Sequence, residues 1–305
     1  AAPFCISFTR KMAMHALSAT KTSSSIWSRS TAKRCSDLTA RVAKPLNTGR
    51  PSSIQYSNAI FPQLDTEALS DFKVLVAGAT GGVGRRIVEV LVEQGVPVRA
   101  LVRDARKARE ILPGISSGLV EVVEGDVFQY ASLPKALGDA NAVICATGAS
   151  GLADPFGPFN VDYAGTANLV ALSKLKKLNK FVLISSIGAD DILNPLNLFW
   201  GILFWKKRAE EELQRSGLDY TIIRPGGLKD TLKSGELPGG IVMKPAGYYG
   251  LKNSPGNPGS ILRRQVAETA VAALYQPNAA NQVVEIVASK DAPRLAYDTL
   301  FTNVW

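Results

Sequence analysis

An α/β fold built on one doubly wound, parallel sheet of about seven strands is predicted by three features of this 305-residue sequence. Short runs rich in Val, Ile and Leu recur from residue 71 onward. Segments with helical spacing of apolar residues lie between them. Gly, Pro, Asn and Asp mark the joints. Regular alternation of this kind describes βαβ units, whose crossovers cover both faces of a parallel sheet and leave strands that read as continuous apolar runs.

The elements follow in order. "KVLVAG" from Lys73 is the first strand, and "GVGRRIVEVLVEQG" is a helix with Ile87, Val90 and Leu91 on one face and Gly95 as its stop. "PVRALV", "LVEVVEG" and "NAVICATG" supply strands two to four, with "ARKAREIL" and "YASLPKALG" as the helices between them. "NVDYAGTANLVALSKLKKL" is a long helix before "KFVLISS", the fifth strand. "KKRAEEELQRSG" and "YTIIRP" give a helix and the sixth strand, and "RRQVAETAVAALY" with "NQVVEIVA" completes seven. Between Gly226 and Gly259 the alternation stops, and 13 of those 34 residues are Gly or Pro, which argues against a continuous helix or a central strand. Ligands of open α/β sheets sit beyond the carboxyl ends of the strands, so residues 226–259 are placed to form a lid.

Charge divides the chain in two. Residues 1–64 hold nine Lys and Arg against one acid, Asp37, and therefore carry +8 of the formal +9, leaving 26 basic and 25 acidic residues in the body. A near-neutral body does not suit a nucleic-acid partner. Residues 1–64 are rich in Ser, Thr, Arg and Lys, the composition of an organellar transit peptide, closer to the plastid than to the mitochondrial kind. A disordered basic linker has the same composition. Met12 is a possible start. The body, 65–305, is expected to be a single domain in the chloroplast, stromal or membrane-associated.

No apolar run reaches the roughly 18–20 residues of a membrane span. The longest, "LFWGILFW" at 198–205, is expected either to pack inside the protein or to form a patch that touches a partner or a membrane surface. Cys145 is the one cysteine after residue 64 and the only histidine, His15, lies before it, so metal clusters and His-dependent nucleophilic triads are excluded from the body. Cys145 itself reads as a small core residue.

"VAGATGGVGRR" carries glycines at Gly78, Gly81 and Gly84 between an apolar strand and a helix. Bare backbone N–H groups at a helix's positive end bind a diphosphate, so the loop predicts a dinucleotide, NAD or NADP. About 20 residues on, an acid would take the ribose hydroxyls of NAD and a cation the extra phosphate of NADP. The sequence there is "ALVRD". If strand two ends at Val102, Arg103 is the first side chain able to turn to the ligand, which favours NADP over NAD, with Arg85 or Arg86 as a second guanidinium.

With "GPFNVDYAGTANLV", "FVLISSIGA", "LNLFWGILFWKKRAEEEL", "SGLDYTIIRPGGL" and "VVEIVA" added, the chain resembles an atypical short-chain dehydrogenase/reductase of Rossmann type. It is most similar to the NAD(P)-binding domain of the dehydrogenase-like subunit of the chloroplast inner-envelope protein translocon, and more distantly to flavin- and biliverdin-reducing members. The resemblance implies that Gly78, Thr80, Gly81, Gly82, Val83 and Gly84 hold the diphosphate. It implies Arg103 at the adenosine ribose, Asp126 and Val127 at the adenine, and Ala146, Thr147 and Gly148 along the middle of the cofactor. Ser185, also implied as a cofactor contact, closes strand five with Ser186, and Pro225 and Gly226 fall near the nicotinamide.

Catalytic members carry a Tyr and a Lys four residues apart. Matching "KKRAEEEL" to that pattern puts the Lys at Lys206 and gives Ile202 the Tyr position, so Lys206 and Ser186 are left as candidate catalytic residues. Isoleucine transfers no proton, and ordinary carbonyl chemistry is therefore in doubt. Tyr163, Tyr248 or Tyr249 are possible substitutes. Two functions fit: an NAD(P)H-dependent oxidoreductase acting on a flavin-like or other conjugated acceptor, or a non-catalytic NADP(H) sensor or assembly protein with a plastid protein partner. The Pro/Ser-rich repeats with which the translocon subunit tethers ferredoxin-NADP reductase are not among these residues, so that tethering is not expected of them.

Overall fold

The computed structural model describes residues 64–149, 154–232, 238–250, 258–302 and 304. The presequence expected at 1–64 lies, except for Leu64, outside the described residues. The sheet starts with β1 (Val74–Ala77), β2 (Val98–Val102), β3 (Val120–Glu124), β4 (Ala142–Cys145), β5 (Lys180–Ile184) and β6 (Tyr220–Pro225). All six run parallel, in the order β3-β2-β1-β4-β5-β6, and β10 (Gln282–Ser289) continues parallel beside β6. These are the seven expected strands. Their order reverses between β1 and β4, where a doubly wound sheet opens its ligand crevice.

Every residue of β1, β2, β4 and β5 is buried, which is why the period-2 alternation of a half-exposed strand is missing from the sequence. Two cores result. Val74 and Val76 face α1 (Gly82–Glu93) and α6 (Arg263–Tyr275), joining Ile87, Leu91, Val266 and Ala270. Leu75, Ala77 and Val143 face the other way, onto Leu133 and Leu137 of α3 (Leu133–Leu137), Leu169 and Leu172 of α4 (Thr166–Leu175) and Leu213 of α5 (Ile202–Arg215). Two further helices, α2 (Ala105–Ile111) and α7 (Tyr297–Thr302), complete the set among the described residues.

Three differences from the sequence expectation bear on the site. The described residues of 226–259 hold no central strand, as expected, but supply two edge strands that the reading of the stretch as a lid did not include. These are β7 (Gly227–Lys229), which pairs with β9 (Ser260–Leu262), and β8 (Gly240–Pro245), which runs antiparallel along β10. The sheet thus has ten strands. Glycine content hid β8, yet Gly240 is needed there, because a Cβ would fall 2.3 Å from the Pro293 carbonyl oxygen. Second, the long helix begins as a π-helical stretch, Pro158–Gly165. Wider turns of this kind redirect side chains and concentrate at functional sites. Third, α5 starts at Ile202, four residues before the expected "KKRAEEEL", after Trp200 and Gly201 turn the chain with left-handed backbone angles of +59° and +69°.

Candidate functional site

The glycine loop fits a diphosphate by exclusion of side chains. Gly78 has φ +77°, and a Cβ there would lie 2.7 Å from the Ala146 carbonyl oxygen. A Cβ on Gly84 would lie 2.1 Å from the Gly78 oxygen. The loop is therefore pressed against both the end of β4 and the start of α1, with Gly81 N–H donating to Gly78 O at 2.9 Å. Gly81, the N-cap, has no side-chain cap, and the first turn of α1 has no acid. Arg85 ends that turn, the wrong charge for a helix's positive end by about 0.3–1 kcal/mol, and Arg86 follows it; both face Glu89 of the same helix, Arg86 at 2.6 Å. Thr80, Gly82 and Val83 lie in the same loop and first turn. Position 82 has a further neighbour that the sequence reading missed, Arg263, the first residue of α6.

Strand β2 does end at Val102, and the exposed residue after it is Arg103. Asp104, the competing acid, is the N-cap of α2, and its carboxylate accepts from the Lys107 N–H at 3.0 Å. Beyond β3, the Asp126 carboxylate accepts from the Phe128 N–H, and Val127 packs beneath Gly165, where any Cβ would strike it. The loop, Arg103, Asp126 and Val127 thus follow the carboxyl ends of β1, β2 and β3 in turn.

Ala146, Thr147 and Gly148 continue β4 toward the π-helical stretch. There Lys206 Nζ meets Asp162 Oδ1 at 2.6 Å. Asp162 is 3% exposed, and its second oxygen accepts from the Ala149 N–H at 3.1 Å. Lys206 thus points inward from α5, not to solvent as an ordinary helix lysine does. A Cβ on Gly148 would stand 3.7 Å from the Asp162 carboxylate and 3.9 Å from the ammonium, so the backbone passes beside the ion pair. Thr147, Asp162, Thr166, Leu183, Ser185 and Lys206 line a shallow recess here. Ile202 is one helical turn from Lys206, where it offers no proton.

Ser185 donates to Glu210, while Ser186 Oγ donates to the Ile187 carbonyl at 3.2 Å. Pro225 ends β6 and accepts from Ile187 N–H, and Gly226 N–H donates to Ile286 O. Cys145 is fully buried, as its apolar neighbours suggested.

Beneath the recess lies a charge cluster that the sequence reading did not find. Arg224 of β6, 1% exposed, donates to Glu210 of α5 at 2.9 and 2.6 Å, to Asp190, and to Glu285 of β10 at 3.3 Å. Burial opposes the Arg224 charge, but the hydrogen bonds with Glu210 and Asp190 outweigh it and raise its pKa. Burial likewise opposes ionisation of Asp190, and hydrogen bonds from Arg224 and Lys207 overcome it to hold the carboxyl at about 2. Glu285 also accepts from the Gly247 and Tyr249 N–H groups at 2.9 and 2.8 Å, fastening the turn after β8 to the sheet. The Tyr249 phenol is pushed up by burial and then by Tyr248 and Glu285, the opposite of what an acid-base tyrosine needs.

Trp205, next to Lys206 in sequence, meets Phe159 edge-on at 4.9 Å and, between ring centroids, lies 5.6 Å from Tyr163, the neighbour of Asp162 in sequence. The run 198–205 divides. Leu203 is buried, whereas Leu198, Phe199 and Trp200 are exposed, and the expectation that the run packs inside holds for only part of it. Among the described residues there is no metal-binding cluster and no helix long and apolar enough to cross a membrane.

A family model described as NAD(P)H-binding matches residues 78–277. An uncharacterized chloroplastic protein of Arabidopsis thaliana is 43% identical over 248 residues, covering 78% of this chain and 84% of the relative. The chloroplastic protein TIC 62 of Pisum sativum is 36% identical over 259 residues, 78% of this chain but 47% of its own length, so the chain spans about half of that relative. An NAD(P)H azoreductase of Xenophilus azovorans is 30% identical over 213 residues, covering 70% and 67%. The plastid expectation agrees with the first two. A match over most of the body, with the glycine loop at its start and the Lys206 site inside it, shows that the chain belongs to the NAD(P)H-binding family of Rossmann-type proteins.

Proposed function

We propose that the chain is a chloroplast NADP(H)-dependent oxidoreductase that passes hydride to a planar conjugated acceptor, a flavin-like ring being the model. Its working body is residues 65–305, in which the stretch 226–259 would serve as a lid, and residues 1–64 are a transit peptide. The observation that carries this reading is the Lys206–Asp162 pair, set in the recess beside Gly148. A bound nicotinamide would supply the hydride. Lys206 would hold its ribose, Asp162 keeps the ammonium turned inward, and the cluster of Trp205, Tyr163 and Phe159, next to the pair along the chain, would offer π-faces on which a flat acceptor stacks. With isoleucine at 202, the reading favours acceptors that delocalise the incoming charge over ketones that need a phenol proton. Mixing the NADPH-loaded protein with flavins, quinones and aliphatic ketones should oxidise the nicotinamide with the first two classes and not the third. No oxidation with any of them would favour the second reading.

NADP is proposed over NAD because Asp104 is engaged as a helix cap while Arg103 is exposed at the strand end. Arg103→Ala should weaken NADPH about tenfold to a hundredfold, the worth of a charged hydrogen bond, and leave NADH nearly unchanged. Equal losses for both nucleotides would remove Arg103 from the role. Titration by quenching of protein fluorescence measures both.

The second reading, a non-catalytic NADP(H) sensor with a plastid protein or membrane partner, is favoured by one observation. Leu193, Leu198, Phe199 and Trp200 form an exposed apolar stretch immediately before α5, with Leu193 90% and Leu198 85% exposed. Surfaces of this kind mark contact sites.

A further inference from the structure

Arg263 lies across the glycine loop although it comes from the opposite end of the domain. A Cβ built on Gly82 would fall 2.7 Å from its Nε and 3.0 Å from its Cδ, so the missing side chain at position 82 is what lets the arginine cross the start of α1. Its Nη1 donates to Asp230 Oδ2 at 2.7 Å. Asp230 directly follows β7, an exposed three-residue strand whose ladder partner is β9. The guanidinium therefore stands where two helices, α1 and α6, present their amino ends, and neither has an acid in its first turn. Cation and helix ends carry the same sign there. Asp230, 57% exposed, is the carboxylate that Arg263 reaches, and it is held at the surface rather than inside the crevice.

A diphosphate over Gly82 would offer this guanidinium a doubly charged, bidentate partner, and one that both helix ends attract. We infer that Arg263 is a diphosphate-binding residue that rests on Asp230 in the empty protein and transfers to the cofactor's diphosphate on binding, releasing Asp230 and β7. The inference rests on dinucleotide binding at the glycine loop, and it goes further by coupling cofactor occupancy to the segment that leads from β6 over the site. Exchange of one carboxylate for a diphosphate at a single arginine involves no covalent step. It makes the loosening of β7 a direct report of occupancy.

The test uses the full chain with two probes, NADPH and adenosine 2′-monophosphate, which carries no phosphate at the diphosphate's place. Arg263→Ala should weaken NADPH by about tenfold or more and the monophosphate by no more than about threefold. Arg263→Lys should recover part of the loss. Asp230→Asn removes the competitor and should tighten NADPH by about threefold. Hydrogen exchange at residues 227–230 should speed up on NADPH addition to the wild type, and be already fast in Asp230→Asn. Unchanged NADPH affinity in Arg263→Ala, equal losses for both probes, or no tightening in Asp230→Asn would each overturn the inference. If the alanine variant fails to fold, Arg263→Lys and Asp230→Asn decide it. A wild type that binds NADPH beside variants that bind it equally defeats the inference alone, whereas a wild type that binds no NADPH defeats the cofactor reading with it.

Discussion

Gly81→Glu is expected to abolish measurable NADPH binding while the protein melts within a few degrees of the wild type. Gly81 has φ −73° and ψ 168°, an extended conformation that any residue adopts, so the backbone tolerates a side chain. The new Cβ would lie 3.1 Å from the Gly78 oxygen, a contact relieved by a shift of a few tenths of an ångström. A carboxylate at the N-cap suits α1 itself. What it does not suit is a diphosphate in the same place. Like charges about 4 Å apart at an effective dielectric near 20 repel by about 4 kcal/mol, roughly three orders of magnitude in affinity. Calorimetric titration beside a thermal melt checks both halves, and Gly81→Ala separates crowding from charge. Affinity within threefold of the wild type would show that the diphosphate lies elsewhere.

Arg224→Met is expected to cost the most stability of any single change in the body. The guanidinium serves Glu210 and Glu285, each no more than 1% exposed, together with Asp190. Removing one partner of a buried ion pair leaves charge without compensation and typically costs about 3–5 kcal/mol. In a domain of this size that lowers Tm by about 6–20 °C. The pH dependence should weaken as well. In the wild type, the Asp190 carboxyl is held at about 2 against roughly 3.9 when unfolded, so its contribution is complete above pH 4 and lost as pH falls through 2. In the variant, Asp190 loses one of its two cations, so this contribution shrinks, and less stability should be lost on acidification from pH 4 to 2 than in the wild type. Melts across that range measure it. A loss under about 1 kcal/mol at neutral pH, or a wild-type-like loss between pH 4 and 2, would mean the carboxylates find other partners. Because Glu210 also receives Ser185 and Glu285 holds the Gly247–Tyr249 turn, the variant should loosen the recess and that turn together.

Much of the cofactor crevice was legible because its physics is local. A strand, three glycines and a helix are consecutive, and their spacing alone describes a bare positive helix end. The same holds for Arg103, whose standing depended on where β2 stops. Asp162 was not legible, since its partner Lys206 is 44 residues away and a π-helical stretch turns it inward. Arg224, Glu210 and Glu285 were hidden in runs such as "YTIIRP" and "VVEIVA", whose apolar neighbours signal strands but say nothing of three buried charges meeting. Strands β7 and β8 were missed because their Gly and Pro content argues against strands, while pairing with β9 and β10 decides otherwise.

By itself, the sequence determined the parallel seven-strand core, the glycine loop and the absence of a phenol at position 202, because periodicity, spacing and residue identity are properties of neighbouring residues. Only the tertiary structure decided that Lys206 faces inward on Asp162, that Arg263 crosses Gly82, and that a buried charge cluster ties β6, α5 and β10 to the turn after β8. Those are pairings between residues far apart along the chain. Their energies depend on burial and on a few ångströms of separation, quantities that exist only once the sheet has closed around them.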